Sequence, residues 1–130
     1  MAATYSVYNT REANGVFAPS KIPGIAVTGT NTYYSEPIGP RQSGGFGFHF
    51  EWNGTPTGTF TMWRTNKPNP DVTSDTDWIP VSTFAPTNPA GAAGKYGDDV
   101  TFTNFYRYRF KYVNASGSGN LFCWTSQPSQ

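Results

Sequence analysis

From Tyr106 to Tyr112 the chain alternates without a break. Rings stand at the even positions (Tyr106, Tyr108, Phe110, Tyr112) and cations at the odd ones (Arg107, Arg109, Lys111). A side-chain period of two belongs to the β-strand, so this stretch predicts a strand with one ring-lined face on a core and one charged face in water. The same rhythm recurs upstream. Gly45–Asn53 sets Phe46, Phe48, Phe50 and Trp52 against Gly47, His49 and Glu51, and Thr59–Thr65 sets Phe60, Met62 and Arg64 against Thr59, Thr61, Trp63 and Thr65. Ile25–Thr28, Thr32–Ile38, Trp78–Phe84, Asp99–Asn104 and Asn120–Ser126 bring the expectation to about eight short strands. No segment longer than a turn carries an apolar period of 3.6, so essentially no helix is expected.

Turn residues punctuate these runs. Asn53-Gly54-Thr55-Pro56-Thr57-Gly58 reads as a hairpin joining the strands on either side of it, because Asn-Gly supplies the positive φ that tight hairpins need. Asn114–Gly119 reads in the same way as the turn of a closing hairpin between Tyr106–Val113 and Asn120–Ser126. Asn66–Asp77 is a polar loop with two prolines and three aspartates, and Pro86–Gly94 is a Pro/Ala/Gly connector. No internal repeat or linker divides the chain. Residues 1–23 form an N-terminal arm or accessory strand, either part of a sheet or paired with a neighbour. Residues 24–126 form the body and 127–130 a tail. Evenly spaced short strands imply an all-β fold, a two-sheet antiparallel sandwich of jelly-roll-like topology with an N-terminal extension. Its inner faces are expected to carry Phe46, Phe48, Phe50, Trp52, Phe60, Met62, Trp78, Val100, Phe102, Tyr106, Tyr108, Phe110, Tyr112, Leu121 and Cys123.

Composition agrees. Aromatics make up 17% of the 130 residues while charged residues are only 13%, a combination that suits a ring-packed β-sandwich with part of its surface covered by partner chains. A formal net charge of +1 provides no global field to recruit nucleic acid or membrane. Arg107, Arg109 and Lys111 do not make a single-strand binding stripe either, because alternation puts cations and rings on opposite faces. The cations are expected to guard a sheet surface or to meet acidic groups on another subunit. Cys123 is the only cysteine, so no intrachain disulfide is possible and the thiol reads as a small buried hydrophobe. The first residues lack a charged region followed by an apolar one, and no apolar run approaches a membrane span; the expectation is a product made without signal-directed export.

Catalytic chemistry has little to stand on. His49 and Glu51 share a strand face and could form an acid/base pair, but a single histidine and no glycine-flanked serine elbow favour a polar outer-face pair. Asp71, Asp75 and Asp77 alternate with hydroxyls in the 71–77 loop, as calcium ligands can, yet no glycine in register and no closing glutamate follow. They remain weak metal candidates in a loop expected to be solvated, and no cofactor is implied. The rings on the other side of the alternation carry more. If Phe60 and Met62 point inward, Trp63 points outward; if Leu121 and Cys123 point inward, Phe122 and Trp124 point outward. Several large outward rings on one small domain suit a protein–protein interface or a sugar-stacking platform. Trp63, Phe122, Trp124, Arg107, Arg109, Lys111 and, in the arm, Tyr5 and Val7 are therefore the candidate interface residues.

One stretch also carries a resemblance. Phe50-Glu51-Trp52-Asn53-Gly54-Thr55-Pro56-Thr57-Gly58-Thr59-Phe60-Thr61-Met62 is followed by Asn66-Lys67-Pro68-Asn69-Pro70-Asp71, Asp77-Trp78-Ile79-Pro80 and Asn88-Pro89-Ala90-Gly91-Ala92-Ala93-Gly94. Tyr106–Val113, Ser116-Gly117-Ser118-Gly119 and Asn120–Trp124 close it. This succession over residues 43–126 resembles small virion structural proteins of tailed bacteriophages. The resemblance implies a non-enzymatic virion protein, most readily a capsid decoration or cement protein. Such a protein is made in the host cytoplasm, docks on the major capsid protein or other virion proteins, and forms a homo-oligomer such as a trimer. A disulfide-free, nearly neutral chain suits that setting. The runner-up is a tail or fibre module binding host glycans through Trp63, Trp124 or Phe122. A small hydrolase using His49 or Glu51 comes third.

Overall fold

The computed structural model describes residues 4–6, 14–15, 25–35, 37–38, 46–100 and 105–126. The described residues form ten strands: β1 (Thr4–Ser6), β2 (Asn14–Gly15), β3 (Ile25–Val27), β4 (Thr32–Tyr34), β5 (Phe46–Trp52), β6 (Thr57–Thr65), β7 (Ile79–Pro80), β8 (Gly94–Val100), β9 (Arg107–Ser116) and β10 (Gly119–Ser126). Helical structure among the described residues amounts to one 3-10 turn at Asp75–Asp77. Sheet I runs β1-β4-β9-β6-β7. Sheet II runs β2-β10-β5-β8, with β3 also on β10. Without the two N-terminal strands these are the orders 4-9-6-7 and 3-10-5-8, all antiparallel, which is the interleaved arrangement of a jelly roll. The chain is thus the all-β two-sheet sandwich its alternation predicts.

The connections are not the hairpins the turn residues suggest. β5 lies in sheet II and β6 in sheet I, so Asn53–Pro56 is an arch that carries the chain across the core. Gly117-Ser118 likewise carries it from β9 in sheet I to β10 in sheet II. The reason is visible in the rings: Phe50 and Phe60 stack face to face across the sandwich with centroids 3.9 Å apart, instead of lying side by side in one sheet. The two arches bond to each other. Asn53 N–H donates to Asn120 O (3.1 Å), Thr55 N–H to Ser118 O (2.9 Å), and Asn120 N–H to the Asn53 side-chain oxygen (2.9 Å). Gly54 (φ 80°) and Gly117 (φ 75°) sit where a Cβ would strike the backbone oxygen of Ser118 and of Thr55 respectively, so both need glycine twice over. A third arch, Thr28–Asn31, joins β3 to β4 at the same end. Buried Asn114 ties it down, donating from its amide to Gly29 O and Gly117 O while accepting from the Tyr112 hydroxyl.

Between the sheets lies a core of Val27, Tyr33, Ile38, Phe46, Phe48, Phe50, Trp52, Phe60, Met62, Tyr108, Phe110, Tyr112, Leu121 and Cys123. Each ring buries on the order of 150 Å² or more, enough to hold the fold without a disulfide. Two residues expected there are elsewhere. Tyr106 is 46% exposed, because β9 begins only at Arg107. Trp78 is buried, but on the opposite face of sheet I against Arg109. The strand expected over 78–84 is reduced to Ile79–Pro80, since Pro80 lacks an N–H for a longer ladder. The strand expected at 99–104 begins earlier, β8 covering Gly94–Val100; residues 101–104, Phe102 among them, fall outside the described residues. Thr4–Ser6 pairs parallel with β4, and Asn14–Gly15 antiparallel with β10, so the N-terminal region supplies an edge strand to each sheet. Tyr5 is in the first of these; Val7 and the tail 127–130 lie outside the described residues.

Candidate functional site

The sandwich has two outer faces, and they differ in what covers them. On sheet I the odd positions of β9 point outward, as alternation requires, but the central pair, Arg109 and Lys111, is largely covered. The 66–78 loop folds back over them. Arg109 is wholly buried, its guanidinium carbon 4.6 Å from the Tyr34 ring, 5.1 Å from Trp63 and 4.9 Å from Trp78. It donates to Val72 O and to the Asp75 carboxylate, and the other Asp75 oxygen takes the Lys111 ammonium at 2.6 Å. Trp78 is fixed by its indole N–H on Asp71 O (2.9 Å) and Trp63 by its own on Thr61 Oγ1 (2.9 Å). Burial pushes the Asp75 carboxyl up, but hydrogen bonds from Lys111 and Arg109 outweigh it, and the net shift is below the ordinary aspartate value. For Arg109 burial dominates and lowers its pKa, with Asp75 opposing.

This arrangement corrects three expectations. Arg109 is neither a surface guard nor available to another subunit. Trp63, half-buried, packs against the same cations, and Lys111 spends its charge on Asp75. The 71–77 loop is a lid on the sheet, and its carboxylates are taken by cations and backbone. Asp77 pairs with Lys67 (3.0 Å) and accepts the Asp71 N–H (2.8 Å), while Asp71 accepts from Thr73 N–H (3.1 Å). Among the described residues no group of three His, Cys, Asp or Glu side chains is placed to hold a metal ion. Arg107 lies over the exposed Tyr106 ring at 4.1 Å, at the start of β9.

Sheet II is the open face. Leu121 and Cys123 are buried, and Phe122 and Trp124 point outward, half-buried, their rings nearly parallel (9°) with centroids 5.8 Å apart. Trp124 stands opposite His49 in register and Phe122 opposite Glu51. The imidazole meets the Trp124 ring edge-on (5.4 Å, 72°), and its Nε2 is 3.0 Å from Glu51 Oε1. Both side chains are about half open to solvent, so the pair orients the ring against Trp124 and offers polar groups at the surface. The neighbouring strand β8 adds Lys95 opposite Glu51, Gly97 opposite His49 and Asp99 opposite Gly47. These three were not anticipated as site residues, because Gly-Lys-Tyr-Gly-Asp-Asp has low β-propensity and owes its strand to pairing with β5. The only hint in the sequence is that Tyr96 and Val100 share a parity. Next to Trp124 the surface sinks into a depression of about 360 Å³ lined by Gly47, Phe48, His49, Asp98, Asp99, Trp124 and Thr125.

Burial raises the Cys123 thiol well above its ordinary pKa, so it stays protonated and behaves as core. No described helix is long and apolar enough to cross a membrane. Compared with known proteins, the chain matches no family model and no curated sequence.

Proposed function

We propose that the chain is a non-enzymatic structural protein of a tailed-bacteriophage virion, of the capsid decoration or cement type. In this reading it docks on the major capsid protein or another virion protein and contacts further copies of itself. The observation that carries the reading is the meeting of its two signature turns. Trp52-Asn53-Gly54-Thr55-Pro56 and Ser116-Gly117-Ser118-Gly119, far apart in sequence, interlock as adjacent arches with glycines that admit no side chain. The motifs behind the phage resemblance therefore act as one structural unit of a jelly roll, an architecture used by viral capsid and lectin domains. The N-terminal strands support the mode of attachment. Each is a short edge strand, held on its sheet by two or three residues, and such a segment can leave and add to a neighbour's edge.

The test is particle-based. Purified protein is expected to co-sediment with shells that lack it, and a form without residues 1–20 is expected to fold yet stay in the supernatant. Retained binding by the truncated form sinks the role of the arm. Absence of the protein from the density of the intact particle sinks the virion reading itself.

A second reading keeps the fold and moves the role to a tail or fibre module that binds host-surface glycans. The Phe122–Trp124 pair on the open face of sheet II favours it. Trp63 does not contribute, because its ring is engaged by Arg109 and Lys111.

A further inference from the structure

The depression beside Trp124 has a composition that selects among ligands. We infer that it is a binding site for a neutral sugar residue, in which the Trp124 ring takes the sugar's C–H face and the Asp99 carboxylate takes its hydroxyls. This rests on the glycan reading and specifies its ligand and its atoms.

The floor comes first. Gly47 and Gly97 flank His49, one along the strand and one across it, so two of the outward positions carry no side chain. The bare floor is enforced at Gly97, where an added Cβ would lie 2.8 Å from Phe48 O and could not be accommodated without moving the strand. A glycine of this kind inside a strand marks a place where something else approaches the backbone closely.

The walls come next. Trp124 is held edge-on by His49 on one side and parallel to Phe122 on the other, so its orientation is set before any ligand arrives. Its body is apolar, which suits the C–H face of a pyranose. Across the depression Asp99 projects on the same sheet face as His49 and Trp124, by its register with Gly47. An ionised carboxylate only accepts hydrogen bonds, and its two oxygens match two adjacent hydroxyls, which donate. Asp98 contributes a second carboxylate to the lining, with one oxygen already accepting the Asp99 N–H at 2.8 Å.

Charge then decides which sugar. The cation-capable group of the lining is His49, and its Nε2 is already directed to Glu51. Lys95, opposite Glu51, stands two residues beyond the glycine floor. Two carboxylates with no free cation between them repel sialylated, sulfated or phosphorylated ligands, so the site favours uncharged hexoses. The core of a protein interface is depleted of charged residues, whereas here the ring pair stands beside two carboxylates.

The experiment exposes the intact protein to an array of neutral and sialylated oligosaccharides and follows hits by titration calorimetry. Neutral oligosaccharides are expected to bind and sialylated ones to fail. Trp124→Ala is expected to weaken binding at least about tenfold, and Asp99→Asn by roughly threefold or more, through loss of a charged acceptor. Both changes are at the surface, and matching thermal melts verify the fold. Ile79→Ala, on the exposed edge of the other sheet, is expected to leave affinity unchanged. Preferential capture of sialylated ligands, or wild-type affinity in Trp124→Ala and Asp99→Asn, overturns this site while leaving the glycan reading standing. No binding to any glycan overturns both.

Discussion

Asp75 reaches over the outer face of sheet I to Arg109, a residue 34 positions away whose side chain has no exposure to solvent. A guanidinium so placed has lost its hydration, and the carboxylate, three aromatic faces and the Val72 carbonyl replace it. The pair fastens a long polar loop to the sheet.

Removing one partner of that pair is expected to cost more than removing the other. Asp75→Asn leaves a buried cation short of its counter-charge. The loss is expected to be about 2 kcal/mol, below the usual range for a fully buried pair, because Asp75 is itself partly solvated and screened. Arg109→Met puts an apolar chain among the same rings and leaves Asp75 with Lys111 and water, so it is expected to cost less. Urea denaturation of the two variants measures the order.

The same pair predicts a sign for acid. Asp75 has a folded pKa below its unfolded value, so its contribution is complete above the unfolded aspartate pKa, about 3.9. That contribution is lost as pH falls through the lower folded value. Stability is therefore expected to decline as pH drops below about 4, and the decline to be shallower in Asp75→Asn. Thermal melts of the two proteins from neutral to strongly acidic pH give the comparison.

Glycines of positive φ are expected to differ in tolerance according to what surrounds them. Gly54→Ala and Gly117→Ala each add backbone strain and a collision with the neighbouring arch, with an expected loss of about 2–3 kcal/mol. Gly29→Ala has the same strain, but the nearest atom to the new methyl is 3.9 Å away. It is expected to cost only about 1 kcal/mol. Denaturation midpoints of the three variants test the ranking.

Cys123 is expected to resist thiol reagents in the native state, because burial removes both access and thiolate character. Labelling should follow unfolding. A native protein that reacts at the rate of an exposed thiol would contradict the placement of β10.

Much of this structure was legible in the alternation of residues, and the rest was hidden for identifiable reasons. The phase of β5, β6 and β9 follows directly from it, whereas in β10 rings and small apolar residues alternate, leaving two phases open until the burial of Leu121 and Cys123 sets Phe122 and Trp124 outward. Facing outward from a sheet is not the same as facing water, however, and no local pattern announces that residues 66–78 return to cover Arg109. Nor does turn chemistry distinguish a hairpin from an arch. Asn53-Gly54 reverses the chain in either case, and only the stacking of Phe50 on Phe60 decides that the next strand lies across the core. The first five residues of β8 escaped notice because their glycines, lysine and aspartate give them no propensity of their own. With them went Gly97, the bare floor beside His49.

The interleaved strand order has a consequence for how the molecule is made. β10 pairs with β2, β3 and β5, so sheet II has no interior until residues 119–126 exist. Sheet I waits almost as long, since β9 bridges β4 and β6. Neither half can be completed without these two strands, so much of the ordering entropy is met before the sheets close. The strand order therefore favours slow folding in a single cooperative step.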